Sequence, residues 1–350
     1  MIIFLKLTGI LISIIVIIVI YLWSKYSPKN IATYISYDLK NGSVSLIKNG
    51  AVVIDKNSDN LMPLASTVKI IVAIEFAKQA AGNKIDPNEK ILLSELEKFH
   101  IKKSDGGAHP AWLKSINNKG LIKGKGKGII LSEVARGMIE FSSNANTEFL
   151  MDKLGFDNVN RLIKTLGLKK HEPLYPFVSS LIALRDHSLQ DLQNMEKVEY
   201  INLSYEVHDK LKNGTIDKHT TEKQVPSQKG KYFSNWFVRG TTKEYTSILS
   251  KINNRDYFTE NEQKYIDAFM KHPFESPEVI YGGEKSGSLS GGAFTTALYE
   301  TTKDENRVEL AIFLGNLTVF QRFMYSLTIS KLKYDLLTGK NTETYKSLLK

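Results

Sequence analysis

The sequence lacks several features that would each indicate a particular chemistry. None of its 350 residues is a cysteine, which excludes disulfide bonds, thiolate catalysis and cysteine-ligated zinc. Its seven histidines show no metal-ligand spacing. The segment HEPLY at 171–175 has no second histidine and contains a proline where a His-Glu-x-x-His helix would continue. The sequence therefore predicts neither a metal nor another cofactor.

Internal repeats and phosphate-binding loops are also missing. The lysine-rich segment KGLIKGKGKG at 119–128 alternates lysine with glycine and has no interleaved aromatic residues, so no nucleic-acid partner is predicted. What is present is 42% apolar residues and a net charge of +10. This composition supports a large buried core and a surface attracted to anionic lipids or cell-wall polymers.

The N-terminus carries a long apolar run. Residues 7–23, LTGILISIIVIIVIYLW, contain no charge and are just numerous enough to cross the hydrocarbon core of a bilayer. No A-x-A-like cleavage site follows, and no cysteine is available for a lipid, which favours a retained signal anchor over a cleaved signal peptide. We therefore expect residues 1–30 to form a cytoplasmic tip, a transmembrane helix and a linker, and residues 31–350 to form the functional domain.

Strand-like segments occur at both ends of that domain. IATYISYDL, from Ile31, and VSLIKNGAVVID alternate apolar and polar residues and predict a β-hairpin. EVIYGGEKSGS, AFTTALYET and RVELAIFLGN predict further strands, and a last helix is expected at about 318–336. The pattern predicts an α+β fold, with a five-stranded antiparallel sheet from both chain ends and a helical lobe inserted at about 83–275. Residues 178–236 are polar and irregular, and we interpret them as an insertion or excursion from the core.

A serine and a lysine lie one helical turn apart in PLASTVKII. Ser66 and Lys69 share a helix face, so the amine can reach the serine oxygen. Apolar neighbours are consistent with burial, which lowers the pKa of a lysine and makes it a base. The same spacing at Ser45, Ser330 and Ser347 lies on a predicted strand, on an exposed helix and at the chain end. The setting therefore favours the pair at 66 and 69.

Two further segments extend this pair. FSSNANTEFL contains the triplet Ser-Ser-Asn at 142–144 before a predicted helix, and GGEKSGSLSGG contains Lys-Ser-Gly at 285–287 on a predicted strand. With these three motifs in this order, the chain resembles the penicillin-recognising serine acyl-transferases, particularly the class A β-lactamases. The resemblance covers about residues 31–340 and implies a β-lactamase/transpeptidase-like fold.

The resemblance also implies a role for each motif residue. Ser66 would be the acylated nucleophile, Lys69 its proton partner, and Ser142 a proton shuttle to the leaving nitrogen. The implied substrate-binding residues are Asn144 for the side-chain amide, Lys285 and Ser286 for the carboxylate, and Gly287 and Ser288 beside them, with the backbone N–H groups of Ser66 and Ser288 binding the oxyanion.

Three positions bear on how closely the chain follows class A. Ser143 stands where class A enzymes usually carry aspartate, and the segment after Gly287 lacks the arginine that often helps to anchor the substrate carboxylate. Glu172, followed by Pro173, lies in about the region of the class A glutamate that activates the deacylating water. We assign Glu172 as the candidate deacylation base, with an ordinary surface glutamate as the alternative.

Three functions are compatible with these residues. The leading hypothesis is a membrane-anchored, class A β-lactamase-like serine hydrolase outside the cytoplasmic membrane, acting on β-lactams or related cell-wall acyl-D-amino acids. The alternatives are a D-alanyl-D-alanine carboxypeptidase, transpeptidase or esterase-like penicillin-binding protein, and a non-catalytic penicillin-sensing or wall-binding module. We expect a monomer in the cell membrane whose partners are the bilayer, through the N-terminal helix, and a small-molecule or peptidoglycan-type substrate.

Overall fold

The computed structural model describes residues 12–17, 21–124, 127–216, 222–270 and 278–349. Its strands are β1 (Gly42–Lys48), β2 (Ala51–Lys56), β3 (Met62–Pro63), β4 (Lys90–Leu92), β5 (Gly128–Ile130), β6 (Arg239–Gly240), β7 (Val279–Leu289), β8 (Ala293–Thr302) and β9 (Arg307–Leu314). Its helices are α1 (Pro28–Tyr37), α2 (Lys69–Ala81), α3 (Leu93–Glu97), α4 (Ala108–Asn118), α5 (Leu131–Glu140), α6 (Asn144–Leu154), α7 (Phe156–Thr165), α8 (Phe177–Asp186), α9 (Leu189–Asn194), α10 (Lys197–Lys212), α11 (Gly230–Trp236), α12 (Thr242–Asn253), α13 (Glu260–Met270), α14 (Val319–Thr338) and α15 (Thr342–Leu348). Short 3-10 helices lie at Ala65–Val68 and Ser227–Lys229, and residues 12–17 and 21–25 are also helical.

The main sheet combines the two ends of the chain, as predicted. Its order is β2-β1-β9-β8-β7, and every neighbouring pair is antiparallel. The pairing of β1 with β9 places Val44 opposite Ile312 and joins the N-terminal hairpin to the C-terminal strands. The predicted α+β fold with a five-stranded antiparallel sheet is therefore confirmed.

Both faces of this sheet are covered by helices. Alternate side chains of β9 point to opposite sides, so Ala311 and Phe313 join the large core formed with the helical lobe. Leu310 and Ile312 join a second core, formed with α1 and α14 on the other face. β7 is the edge strand nearest the 3-10 helix that carries Ser66. Some backbone N–H groups of an edge strand have no partner within the sheet, so they are available to a ligand.

The N-terminal prediction needs one correction. The segment from Ile31 forms α1, not a strand, because Ser27 accepts a hydrogen bond from the Asn30 N–H as the N-cap and Pro28 occupies the first turn. Ile31 and Ile35 are buried four residues apart, which is helical periodicity.

The predicted anchor at 7–23 lies partly outside the described residues. Within the described residues, no single helix is long and apolar enough to cross a membrane. The helix pair Ile12–Lys25 and Pro28–Tyr37, with a bend of 43° between them, is long and apolar enough when the two are taken together.

The region 178–236 is also different from the prediction, because its described part belongs to the core. Helix α8 packs against α10, where Tyr200 is fully buried. The buried Glu148 of α6 accepts hydrogen bonds from the Val178 and Ser179 N–H groups and from Nδ1 of His208. These bonds fix the start of α8 against α6 and α10. Interpreting the region as an excursion was therefore wrong, since its polar residues cover the outside of packed helices.

Candidate active site

Ser66 lies in a backbone turn that the surrounding strands hold in place. The preceding residue, Ala65, has a φ of +47°, which is uncommon for a residue with a Cβ. Leu64 fixes this turn from both sides: its N–H donates to the Val238 carbonyl at 3.0 Å, and its carbonyl accepts from the Thr295 hydroxyl at 2.8 Å. Strain of this kind is kept where neighbouring contacts over-determine the backbone, and it is common at active sites.

Lys69, one helical turn after Ser66, contacts the second motif. Its Nζ lies 2.7 Å from the Ser142 carbonyl, 2.8 Å from Oδ1 of Asn144 and 3.3 Å from the Ser142 hydroxyl. Ser142 itself has a φ of +67°, a second strained position at the site. The structure therefore brings Ser142 and Asn144 to the amine of Lys69, as the motif order predicts.

The environment of Lys69 favours its neutral form. The side chain is 1% exposed. Burial holds the pKa of Lys69 well below its ordinary value, the positive charge of Lys285 lowers this pKa further, and Asp105 opposes the shift. A neutral amine has two N–H groups, which suit the Ser142 carbonyl and Asn144, and one lone pair. That lone pair is what accepts a proton, so Lys69 can act as a base toward a serine hydroxyl.

The third motif supplies a second buried cation. Lys285 is 5% exposed, and burial lowers its pKa to about 8, against the opposing effect of Glu284. The Ser286 hydroxyl donates to Glu284 at 2.6 Å and is hydrogen-bonded to the Thr296 hydroxyl at 2.9 Å. Glu284 is also paired with Lys333 at 2.6 Å. The Ser286 hydroxyl is therefore held by this network, while Nζ of Lys285 donates to the Ser286 carbonyl at 2.9 Å.

Gly287 marks the closest approach of β7 to the nucleophile. A Cβ at this position would lie 2.2 Å from the Ser66 nitrogen, closer than real Cβ contacts. Only glycine leaves this space free between the edge strand and the Ser66 N–H, which is where the predicted oxyanion site lies.

Of the predicted site residues, all but Lys285 and Glu172 line one cavity of about 590 Å³. Ser66, Lys69, Ser142 and Asn144 form its polar part, with Ser288 contributed by β7. Five apolar side chains also line it and were not foreseen from the sequence; this aromatic wall consists of Phe177, Leu181, Phe233, Phe237 and Phe294. The cavity therefore combines a polar part that carries the motif residues with an apolar part.

Comparison with known proteins agrees with this geometry. A model described as the beta-lactamase enzyme family matches residues 28–322. The chain belongs to the beta-lactamase enzyme family. Beta-lactamase BRO-1 of Moraxella catarrhalis is 22% identical over 272 residues, which cover 71% of this chain and 76% of that protein. This relationship establishes a serine hydrolase.

Two solved structures share the beta-lactamase fold. A representative of class A beta-lactamase from Bacteroides cellulosilyticus has a TM-score of 0.54 and 16% identity, covering 89% of this chain and 99% of that one. A PBP-A variant, solved as an acyl-enzyme complex with penicillin G, has a TM-score of 0.51 and 12% identity, covering 89% and 97%.

One predicted catalytic residue of this beta-lactamase family member lies apart from the others. The Glu172 carboxylate is 2.6 Å from Nζ of Lys197 and accepts the Arg239 N–H at 2.8 Å, while the Glu172 N–H donates to the Arg239 carbonyl. Glu172 does not border the cavity in the described part of the chain. The structure therefore does not support Glu172 as the deacylation base. The Glu-Pro dipeptide, which suggested Glu172 as the base, does not predict that Glu172 pairs with Lys197 and Arg239, because these residues are far from it in the sequence.

An arginine from another element borders the cavity. Arg322, in the first turns of α14, borders the cavity and donates to the Leu289 carbonyl. Its position follows from the start of α14, where Thr318 and Gln321 form a reciprocal capping box. The Thr-x-x-Gln signal is visible in the sequence, but it locates only the helix, and the fold is needed to bring Arg322 to β7.

Proposed function

We propose that this protein is acylated at Ser66 by β-lactams and releases the acyl group slowly, as a penicillin-binding serine hydrolase. Acylation requires a nucleophile, a base and an oxyanion site, and the Ser66, Lys69 and Gly287 geometry supports all three. Deacylation requires in addition a base that activates water. The described residues of the cavity offer no free carboxylate to perform that step.

This lack of a base is the observation that carries the proposal. Among the described residues that line the cavity, Asp105 is the sole carboxylate. Its Oδ1 accepts the N–H groups of Gly107 and Ala108, each at 3.1 Å, and its Oδ2 accepts that of His109 at 2.9 Å. Asp105 is therefore occupied as the cap of α4. Glu172 is paired with Lys197 outside the cavity.

The proposed reaction follows from the positions of the side chains. Lys69 accepts the Ser66 proton as Oγ attacks the lactam carbonyl, and the backbone N–H of Ser66 stabilises the oxyanion. Ser142, 3.3 Å from the Lys69 amine, then passes its proton to the nitrogen as the C–N bond breaks and receives in return the proton that Lys69 took from Ser66. The product is an ester on Ser66, with Ser142 and neutral Lys69 restored, and Phe177 and Leu181 of the aromatic wall hold no group that would activate water.

Time-resolved mass spectrometry of the full chain with benzylpenicillin tests the proposal. We expect one covalent adduct that persists for many minutes in the wild type and is absent in Ser66→Ala. Glu172→Gln should leave the adduct lifetime unchanged, because Glu172 is not at the site. A wild-type adduct that turns over within seconds, together with a lifetime increased 100-fold or more in Glu172→Gln, would contradict the proposal and restore Glu172 as the base.

The natural substrate we propose is a cell-wall acyl-D-amino acid, which presents a carboxylate and an acyl carbonyl at positions similar to those in a β-lactam. Arg322 borders the cavity and provides positive charge for the carboxylate, Lys285 adds a second charge beside the cavity-lining Ser286, and the aromatic wall suits an apolar portion of the substrate. Release of D-alanine from an acyl-D-alanyl-D-alanine peptide supports this assignment. The absence of both peptide turnover and β-lactam turnover, with acylation intact, would instead favour a penicillin-sensing module.

We also propose that the N-terminal segment anchors the protein in the cell membrane, with the cavity on the extracytoplasmic side where cell-wall substrates lie. The outer face of α14 supports this arrangement. Val319, Phe320, Phe323 and Leu327 are 48–70% exposed and follow one side of the helix. Tyr26, at the end of the N-terminal segment, packs on Phe320 with ring centroids 5.5 Å apart. The apolar N-terminus and the apolar helix face are therefore adjacent.

A single introduced cysteine tests this arrangement, because the chain has none of its own. We would label Phe323→Cys with an environment-sensitive fluorophore in lipid nanodiscs, with Val198→Cys on α10 as the control; Val198 is 65% exposed. Quenching by spin-labelled lipid at 323 but not at 198 is expected. Equal quenching at both positions, or none at 323 in nanodisc-bound protein, would refute the placement of α14. Failure to associate with nanodiscs would refute the anchor itself.

A further inference from the structure

Three metal-binding side chains meet behind the second catalytic motif. Glu97 ends α3, His100 follows three residues later, and His109 lies in the first turn of α4. One donor atom from each lies within 4.8 Å of the others. The His109 side chain is fully buried, that of His100 is 19% exposed and that of Glu97 is 45% exposed. None of the three borders the catalytic cavity, so this cluster is separate from the Ser66 site.

Each carboxylate oxygen of Glu97 lies beside one of the two histidines. Oε1 is 3.2 Å from Nε2 of His109, and Oε2 is 3.4 Å from Nδ1 of His100, which are hydrogen-bond distances in the absence of an ion. In a tetrahedral zinc site with ligand bonds of about 2.0–2.1 Å, two ligand atoms are separated by about 3.3–3.4 Å. One donor atom from each of the three residues already lies within 4.8 Å of the others, so an ion has to draw them together only slightly. Two imidazoles and one carboxylate also form a donor set typical of zinc with a fourth position left for water. We propose that Glu97, His100 and His109 bind a divalent transition-metal ion of the zinc type.

The buried histidine already has the outer hydrogen bond that a metal ligand needs. Nδ1 of His109 lies 2.9 Å from the Ser143 hydroxyl. With Nε2 on the ion, Nδ1 carries the proton and donates to Ser143, which fixes the tautomer and the ring orientation. Ser143 is itself fully buried, and its oxygen also accepts the Asn146 N–H at 3.2 Å as the N-cap of α6.

This contact connects the metal site to the catalytic motif. Ser143 stands between Ser142 and Asn144, which both accept hydrogen bonds from Lys69. An ion held by α3 and α4 would therefore position the second motif through His109 and Ser143 without touching the substrate. The role is structural support of the motif, and the ion takes no part in acylation.

The ligand spacing explains why the sequence does not reveal the site. Glu97 and His100 occupy neighbouring turns, but His109 comes from the next helix, after a loop that Asp105 folds onto the start of α4 through its bonds to Gly107, Ala108 and His109. Histidine motifs recognised from sequence have both histidines on one helix or hairpin.

Cobalt binding to the full chain, purified without a histidine tag and stripped with a chelator, tests this proposal. We expect one Co²⁺ per chain, with the intense visible absorption of a four-coordinate ion, and displacement by one Zn²⁺. Glu97→Gln and His100→Gln should each weaken binding at least tenfold, and both side chains are partly exposed, so the variants should fold. His187→Gln is the matched control, since the His187 side chain bonds only the Ala183 carbonyl among described residues.

The outcomes separate the proposal from its alternatives. Loss of the cobalt spectrum in the two ligand variants, with the melting temperature of the metal-free protein unchanged, supports the site. Binding that saturates only at millimolar metal, or a spectrum that survives in both variants, overturns it. Because the readout is metal stoichiometry and absorption, failure here leaves the proposal for Ser66 acylation untouched.

Discussion

Replacing Gly287 with alanine tests where the oxyanion binds. The added Cβ would lie 2.2 Å from the Ser66 nitrogen, 2.9 Å from its Cα and 3.0 Å from the Ala65 Cβ. All three are backbone or Cβ atoms, so no side-chain rotation relieves the overlap. The strand and the turn must separate by about 1 Å, and a misplacement of that size in a catalytic group costs about 100-fold in rate. Losing an oxyanion donor outright costs about 10²–10³, or about 2.7–4 kcal/mol.

We therefore expect the second-order rate of acylation by a chromogenic cephalosporin to fall about 10²–10³-fold in Gly287→Ala, measured by stopped-flow absorbance. Gly315→Ala is the control, because a Cβ there meets nothing closer than 3.4 Å and should leave the rate near wild type. Circular dichroism establishes that both variants fold. A folded Gly287→Ala variant that acylates at the wild-type rate would refute the placement of the oxyanion between β7 and Ser66.

Three further predictions concern charge and packing. Lys285 loses its proton above a pKa of about 8, so acylation by carboxylate-bearing β-lactams should decline as pH rises through 8, and Lys285→Arg should remove this decline. Burial opposes protonation of His208, but the hydrogen bonds that its ring donates to Asp152 and Glu148 raise its pKa to about 9. Because this pKa exceeds the unfolded value of 6.5, the stabilisation is complete below pH 6.5 and lost as pH rises through 9. The melting temperature should therefore fall between these values, more in wild type than in His208→Gln. Gly137→Ala places a Cβ 2.4 Å from a buried tryptophan and should cost about 1–3 kcal/mol, seen as a lower melting temperature.

The sheet was predictable because its strands carry local signals, whereas α1 was not. β1 and β2 are joined by an Asn-Gly turn, and β9 is a run of apolar residues. In α1 the alternation of IATYISYDL imitates a strand, and the decisive signals lie just before it, at Ser27 and Pro28. The helix-start signals at Ser27 and Pro28 therefore decide the structure, and the alternation of apolar and polar residues in α1 is coincidental.

Motif residues of the site were predictable, whereas the residues around them required the fold. Ser66, Lys69 and Ser142 follow from short motifs, since each needs a particular neighbour in sequence. Arg322 and the pairing of Glu172 with Lys197 depend on contacts between distant segments. The aromatic wall arises because α8 and α11, which lie in a largely polar region of the sequence, turn their apolar side chains inward.

The pairing of β1 with β9 also sets the order in which the protein can become active. β1 is made among the first fifty residues and β9 near the end of the chain, so their registered contact of Ser43 with Phe313 has to wait for almost the whole sequence. Contacts at such separation are slow to form. Ser66 is synthesised early, but Gly287 and Lys285 arrive only with the last strands. During synthesis Ser66 is therefore present well before the edge strand that lies against it, and the cavity can be completed only when the last strands have been made.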